Sequence, residues 1–200
     1  MHIIGPSSEE EMVAVFLRGE LDSDRFGGAI REALARAGAR DDVVRTPDLG
    51  DGSENALRRR LLTETRAYET RDGVFGGFPD DVHWQRVVLV RQELVAVRYI
   101  DWDYWLELSG GSRSPADAAR RIREGVAPYG ISTDGFLGAA ERVGERWPPL
   151  IVCTAGEDEP LVLLEGHVRL TAYALAGGSA PDEIDALLGT SRRMPDWALY

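Results

Sequence analysis

Glu165, Gly166, His167, Val168 and Arg169 bring a carboxylate, an imidazole and a guanidinium together within five positions, around one residue that has no Cβ. Leu161 to Leu164 before them is a short unbroken apolar run, which reads as a buried strand. Beyond them Val168, Ala172 and Leu175 recur at helical spacing, and Gly177-Gly178 supplies the stop. The chain therefore turns from strand into helix at Gly166, where a tight turn or an approaching ligand meets no side chain. The first amides of a helix lack internal acceptors and, with the helix dipole, attract anions. Helical side chains lean back toward the N-terminus, so Arg169 is expected to reach the same spot as the free amides of His167 and Val168. A phosphate there would meet backbone donors and a planar charged fork. A plainer alternative stands beside this one: Gly166 only makes a turn, His167 caps or packs, and Arg169 is a solvated charge.

Ser109-Gly110-Gly111-Ser112-Arg113 is a second candidate anion loop, in which two glycines let successive amides point inward, Ser112 adds a hydroxyl and Arg113 adds charge. Its plainer alternative is a connector between two helices, since Gly-Gly is routine turn chemistry. The carboxylates placed to activate a hydroxyl acceptor are Glu165 at the turn, with Asp101, Asp103 and Glu107 as rivals from a short upstream segment.

The stretch LLEGHVRLTAYALAG resembles the signature box of the ParB/sulfiredoxin superfamily, in which a strand ends in an acidic residue followed by Gly, often His, and an Arg on the next helix. It is most similar to the Asp-Gly-His-His-Arg form of the free serine kinases. Glu165 stands for the Asp; Gly166, His167 and Arg169 match; Val168 replaces the second His. The resemblance spans about Leu150 to Ala176, with weaker support back to roughly Val87. It implies nucleotide phosphates at Gly166, His167, Val168 and Arg169, joined by Ser112 and Arg113 if both loops face one cleft. It also implies ATP or another nucleoside triphosphate with Mg²⁺ as cofactor and points to Glu165 and His167 as catalytic residues, to which the carboxylate reading above adds Asp103. The chain departs from the pattern in two ways. ParB partition proteins usually carry two adjacent Arg where this chain has Arg169 alone, and sulfiredoxins place a reactive Cys where it has Gly166, so sulfiredoxin chemistry is not expected.

Composition narrows the choices. At 200 residues the chain can bury a respectable core as one domain. It has no run of about 18 apolar residues, and its start, MHIIGPSSEEEM, is acidic and polar, so the expected setting is cytoplasmic with no membrane partner. A net charge of −11 opposes association with a phosphate backbone, and nucleic acid is disfavoured as a partner. The densest basic clusters, Arg58-Arg59-Arg60 and Arg120-Arg121-Arg123, read as solvated helix faces. All 23 basic residues are Arg, which excludes a Walker-type Lys, a Schiff-base Lys and a Ser-Lys dyad. Cys153 is the only cysteine and reads as buried and inert, so an intrachain disulfide and a multi-Cys zinc site are excluded. His2, His83 and His167 make no paired ligand motif; no protein-held metal is expected, and Mg²⁺ would arrive with the nucleotide.

The expected fold is α/β (α+β): a small mixed sheet flanked by helices, with residues 1–84 as an N-terminal α/β extension and 85–200 as the ParB/sulfiredoxin-like core. In the extension Met12–Leu17 reads as a strand, a helix capped at Asp22-Ser23 carries Phe26, Ile30 and Leu34, Val43-Val44 is a short strand, and Ser53 caps a second helix. The aromatic loop Gly73–Trp84 is expected to cover a core edge. Arg86–Ile100 reads as two strands with a break near Arg91-Gln92-Glu93, and Asp101–Ser109 as a short helix with Trp102, Trp105 and Leu106 toward the core. Ser114 and Pro115 start the next helix and Thr133 another. Leu150–Cys153 forms a hairpin with the box strand, Pro181–Leu188 is a final helix, and Met194–Tyr200 returns as an edge strand.

Three functional readings result. The first is a nucleotide-binding enzyme, an ATP-dependent phosphotransferase or ATPase acting on a small hydroxyl compound. The second is a non-catalytic module that binds a nucleotide or a protein partner. The third, a nuclease, is resisted by the negative charge.

Overall fold

A computed structural model describes residues 1–200 and shows a mixed α/β fold. Five strands, β1 (His2–Pro6), β2 (His83–Val90), β3 (Leu150–Thr154), β4 (Val162–Glu165) and β5 (Glu183–Thr190), form one sheet in the order β1-β2-β5-β3-β4. β2 runs antiparallel to both β1 and β5, β3 pairs parallel with β5, and β3 and β4 form the expected antiparallel hairpin. Helices cover both faces. On one lie α1 (Glu9–Leu21), α2 (Gly27–Arg36), α3 (Asp42–Arg45) and α4 (Gly52–Arg66), packed on Ile151, Cys153, Val162, Leu164 and Leu187. Beyond a short α5 (Arg91–Leu94), the other face carries α6 (Asp103–Ser109), α7 (Pro115–Arg123), α8 (Asp134–Ala140) and α9 (His167–Ala176), packed on Leu150, Val152, Leu163, Ala186 and Leu188. Alternate residues of β3 and β4 thus enter opposite cores, which is why these strands read as unbroken apolar runs.

Several local expectations give way to tertiary context. Met12–Leu17 belongs to helix α1: Ser8 caps it by accepting from the Glu11 amide, Glu9, Glu10 and Glu11 fill its positive end, and it is buried all round. A helix buried on every side has no polar stripe, and its sequence imitates a buried strand. Val43-Val44 lies in α3. Ser23 accepts from the Phe26 amide at 3.0 Å just ahead of α2, whereas α4 is capped by Asp51 and not Ser53. Arg58, expected in solvent, is fully buried and donates to the Val43 and Asp48 carbonyls at 2.9 and 2.8 Å, tying down the α3–α4 loop.

Pro181–Leu188 is the largest correction, since Glu183–Thr190 is β5, paired on both sides near the sheet centre. Ile184, Ala186 and Leu188 alternate onto one core while Glu183 and Asp185 face solvent, so two-sided pairing outranks local helix preference. Met194–Tyr200 is not a strand; a 3-10 turn at Met194–Asp196 drops Trp197 into the core, its indole N–H donating to the Val74 carbonyl at 2.8 Å. The aromatic loop does close a core edge, with Phe75, Phe78 and Trp84 buried. The break after β2 is α5, and the second expected strand shrinks to one bridge between Arg98 and Val162. Trp102 and Val168, both expected on apolar faces, are 44% and 49% exposed.

Candidate functional site

β4 ends at Glu165 and α9 begins at His167, so the strand-to-helix turn falls at Gly166. Gly166 has φ +107°, and a Cβ there would sit 2.5 Å from Leu150 Cδ2, so both backbone conformation and space demand glycine. No side chain caps α9, and its first backbone bond runs from the Leu170 amide to the Gly166 carbonyl at 2.8 Å. The amides of His167, Val168 and Arg169 are the open donors of that end.

Arg169 does not lean over them. Its buried guanidinium donates to the carbonyls of Pro148 and Pro149, the latter at 3.0 Å, and to Glu165 Oε1 at 2.8 Å. α1 lies directly on this pair: a Cβ added at Gly19 would be 2.5 Å from Glu165 Oε1 and 2.8 Å from Arg169 Nη2. Arg169 therefore holds the turn against the segment before β3, and Glu165 is committed to it.

His167 stacks on Trp105, ring centroids 4.7 Å apart, with Tyr99 at 6.0 Å. Its Nε2 is buried without a partner. Burial first, then the positive charges of Arg66 and Arg169, pushes its pKa down to about 3, so the imidazole is neutral at pH 7. Glu20 on α1, which sequence reading did not single out, adds a second carboxyl. It is 7% exposed, touches only Ser23 Oγ at 3.4 Å and Arg66 Nε at 3.7 Å, and has its pKa pushed up to about 7 by burial and then by the Glu165 charge.

Ser112 and Arg113 are consumed elsewhere. Arg113 donates to the carbonyls of Tyr99, Tyr200 and Leu199 at 2.7, 2.8 and 3.2 Å, and Ser112 Oγ donates to the Ser109 carbonyl at 3.0 Å. Their loop is a cross-brace for the C-terminal segment. Asp101, Asp103 and Glu107 are exposed, and Asp103 and Glu107 line a groove with Tyr129 that contains none of the turn residues.

Sequence reading also passed over Arg18 and Arg146. Arg18 precedes Gly19 on α1 and Arg146 precedes the Trp147-Pro148-Pro149 segment that anchors Arg169. The Nε of half-buried Arg18 is buried without a partner, and burial, followed by the charges of Arg169 and Arg146, lowers its pKa despite some relief from Glu11. Arg18 thus lies in the field of two further guanidiniums, those of Arg169 and Arg146, of which Arg169 is neutralised by Glu165 in direct contact. Arg18 was hidden because Met12–Leu17 read as a strand, which left Arg18 just beyond its end with no helix face to direct it. No group of three or more His, Cys, Asp or Glu side chains is placed to hold a metal ion, and no helix is long and apolar enough to cross a membrane. Compared with known families, curated proteins and solved structures, the chain matches no family model, no curated protein and no solved structure.

Proposed function

We propose that this protein binds a phosphorylated small molecule of the nucleotide class, its phosphates seated between Arg18 and Arg146 at the open end of α9. One observation carries the reading: Arg18 has a buried guanidinium nitrogen with no partner and lies in the field of two further arginines, an arrangement that an anion would relieve. The unpaired amides at the start of α9 add donors of the right kind. The resemblance of Glu165, Gly166, His167 and Arg169 to the free serine kinase box supports ATP with Mg²⁺ as the ligand and a hydroxyl compound as acceptor. In that reading the nucleotide brings the Mg²⁺, and Glu165 serves as base only once released from Arg169. The closed Glu165–Arg169 pair supports the second reading, a binding module without turnover.

Thermal denaturation with ATP, GTP, CTP and inorganic triphosphate, each with and without Mg²⁺, tests the proposal. A ligand at about a hundred times its Kd stabilises by about 2.7 kcal/mol, a rise of roughly 5–10 °C for a chain of this size. The rise is expected in the parent and is lost in Arg18→Met and Arg146→Ala. No shift with any ligand, or an equal shift in both variants, overturns it. Phosphate release or transfer to serine and other hydroxyl compounds, abolished in Glu165→Gln with binding retained, separates the enzyme from the binding module.

A further inference from the structure

Trp102 and Tyr129, at 44% and 68% exposed, stand in solvent on the α6 side of the molecule. Between α6 and the turn Pro128–Gly130 runs a groove of about 270 Å³, lined by Asp103, Leu106, Glu107, Gly110, Gly111 and Tyr129. Asp103 and Glu107 are one helical turn apart and so share a face of α6. Asp103 makes no ion pair. The cation nearest Glu107, Arg121, is 3.8 Å away and spends its closer contacts, both 3.1 Å, on the carbonyls of Leu108 and Glu107. Asp103 is therefore left without a cation and Glu107 is held only at long range by Arg121, along a groove whose one aromatic lining residue is Tyr129, with the apolar Leu106 beside the two carboxylates.

We propose that this groove docks a basic segment of a protein partner, with an arginine or lysine side chain laid between the Tyr129 ring and the carboxylates of Asp103 and Glu107. Carboxylates and an aromatic face recognise the same cation in complementary ways, one by charge and the other through the ring quadrupole. Each such contact is weak at an exposed site, so a free cation gains little. A segment that also covers Leu106 and Trp102 adds apolar burial around the charge, the arrangement in which such contacts become strong. The net charge of −11 steers a basic segment toward the protein without favouring one face, so the Tyr129 ring beside the unpaired Asp103 must supply the selectivity. This surface is independent of the Arg18 rim and stands or falls separately from nucleotide binding.

The test titrates the full chain with a short peptide of alternating arginine, leucine and glycine, and with the same peptide carrying glutamate for arginine, by calorimetry and tryptophan fluorescence. The basic peptide is expected to bind saturably and the acidic one not at all. Affinity falls about tenfold or more in Asp103→Asn/Glu107→Gln and in Tyr129→Ala. Glu157→Gln/Asp158→Asn, which changes net charge equally in the β3–β4 hairpin, retains it. Tyr129→Ala, a change at an exposed turn, keeps the test decisive should the double variant unfold α6. Absence of binding, undiminished binding in the groove variants, equal weakening in the hairpin variant, or free arginine binding as tightly as the peptide would each overturn the proposal.

Discussion

Glu20 and His167 flank one turn, and their protonation drives stability in opposite directions. Glu20 titrates near 7 in the fold against an ordinary 4.5, so between those values the folded chain holds a proton that the unfolded chain has lost, and stability falls as pH rises. His167 titrates near 3 against an ordinary 6.5, so between those values the unfolded chain holds the extra proton and stability rises with pH. From 4.5 to 6.5 the two offset, leaving a rising limb below that window and a falling one above it. Urea denaturation across pH should show Glu20→Gln removing the fall toward pH 7 and His167→Phe removing part of the low-pH rise. Curves parallel to the parent would reject both assignments. The arginines divide in the same residue-by-residue way. Arg169→Ala strands Glu165 and two carbonyls and is expected to cost about 3–5 kcal/mol. Arg18→Met, which keeps the buried stem and removes a charge with no partner, should leave stability unchanged or raise it, by up to about 1 kcal/mol. That contrast is why Arg18, and not Arg169, reports on ligand binding.

At the scale of elements, α1 decides how much of the site could be read in advance. The strand, the turn at Gly166 and the helix after it were legible because Leu161–Leu164 and the stop at Gly177-Gly178 are local signals, and Ser114-Pro115 announced α7 equally well. The direction of Arg169 was not legible, because it depends on Pro148 and Pro149, about twenty residues upstream. Neither was the lid over it: Met12–Leu17 lacks the polar stripe that marks a surface helix, and Glu183–Thr190 became a strand only through partners on both sides. The α1 contact gives a paired prediction. Alanine for glycine inside a helix ordinarily stabilises by up to about 1 kcal/mol, and Gly28→Ala in α2, whose Cβ meets nothing within 4 Å, should do so. Gly19→Ala drives a Cβ into the pinned Glu165–Arg169 pair and should instead cost about 1–3 kcal/mol. Equal effects in urea denaturation would show that α1 does not bear on the turn.

For the whole molecule, the absence of lysine has a structural counterpart, since arginines serve as staples between distant backbone segments. Arg91 reaches the Ala180 carbonyl at 2.6 Å, Arg123 reaches Leu175 at 2.7 Å, and Arg113 ties Tyr99 to the last two residues. A guanidinium can meet several carbonyls at once where an ammonium offers a single charged point, and cations spent this way add nothing to a basic face for nucleic acid. The same integration governs how the chain should come apart. Ile151 and Cys153 enter the core under α1 and α4 while Leu150 and Val152 enter the core under α7 and α9, so each side of the sheet is held by strands that the other side also needs. A fragment spanning residues 85–200 would bare Ile151, Cys153, Val162, Leu164 and Leu187, all at most 1% exposed in the intact chain, with no helix left to cover them. That much bared apolar surface exceeds what marginal stability tolerates. The fragment is therefore expected to lack a cooperative thermal transition by circular dichroism. In the intact chain, the amides of Leu34 in α2 and Ile122 in α7, one on each side of the sheet, should exchange with deuterium at the same free energy of opening. A folded fragment, or two well-separated exchange free energies, would mean that the helices of the first 84 residues sit on a core able to stand without them.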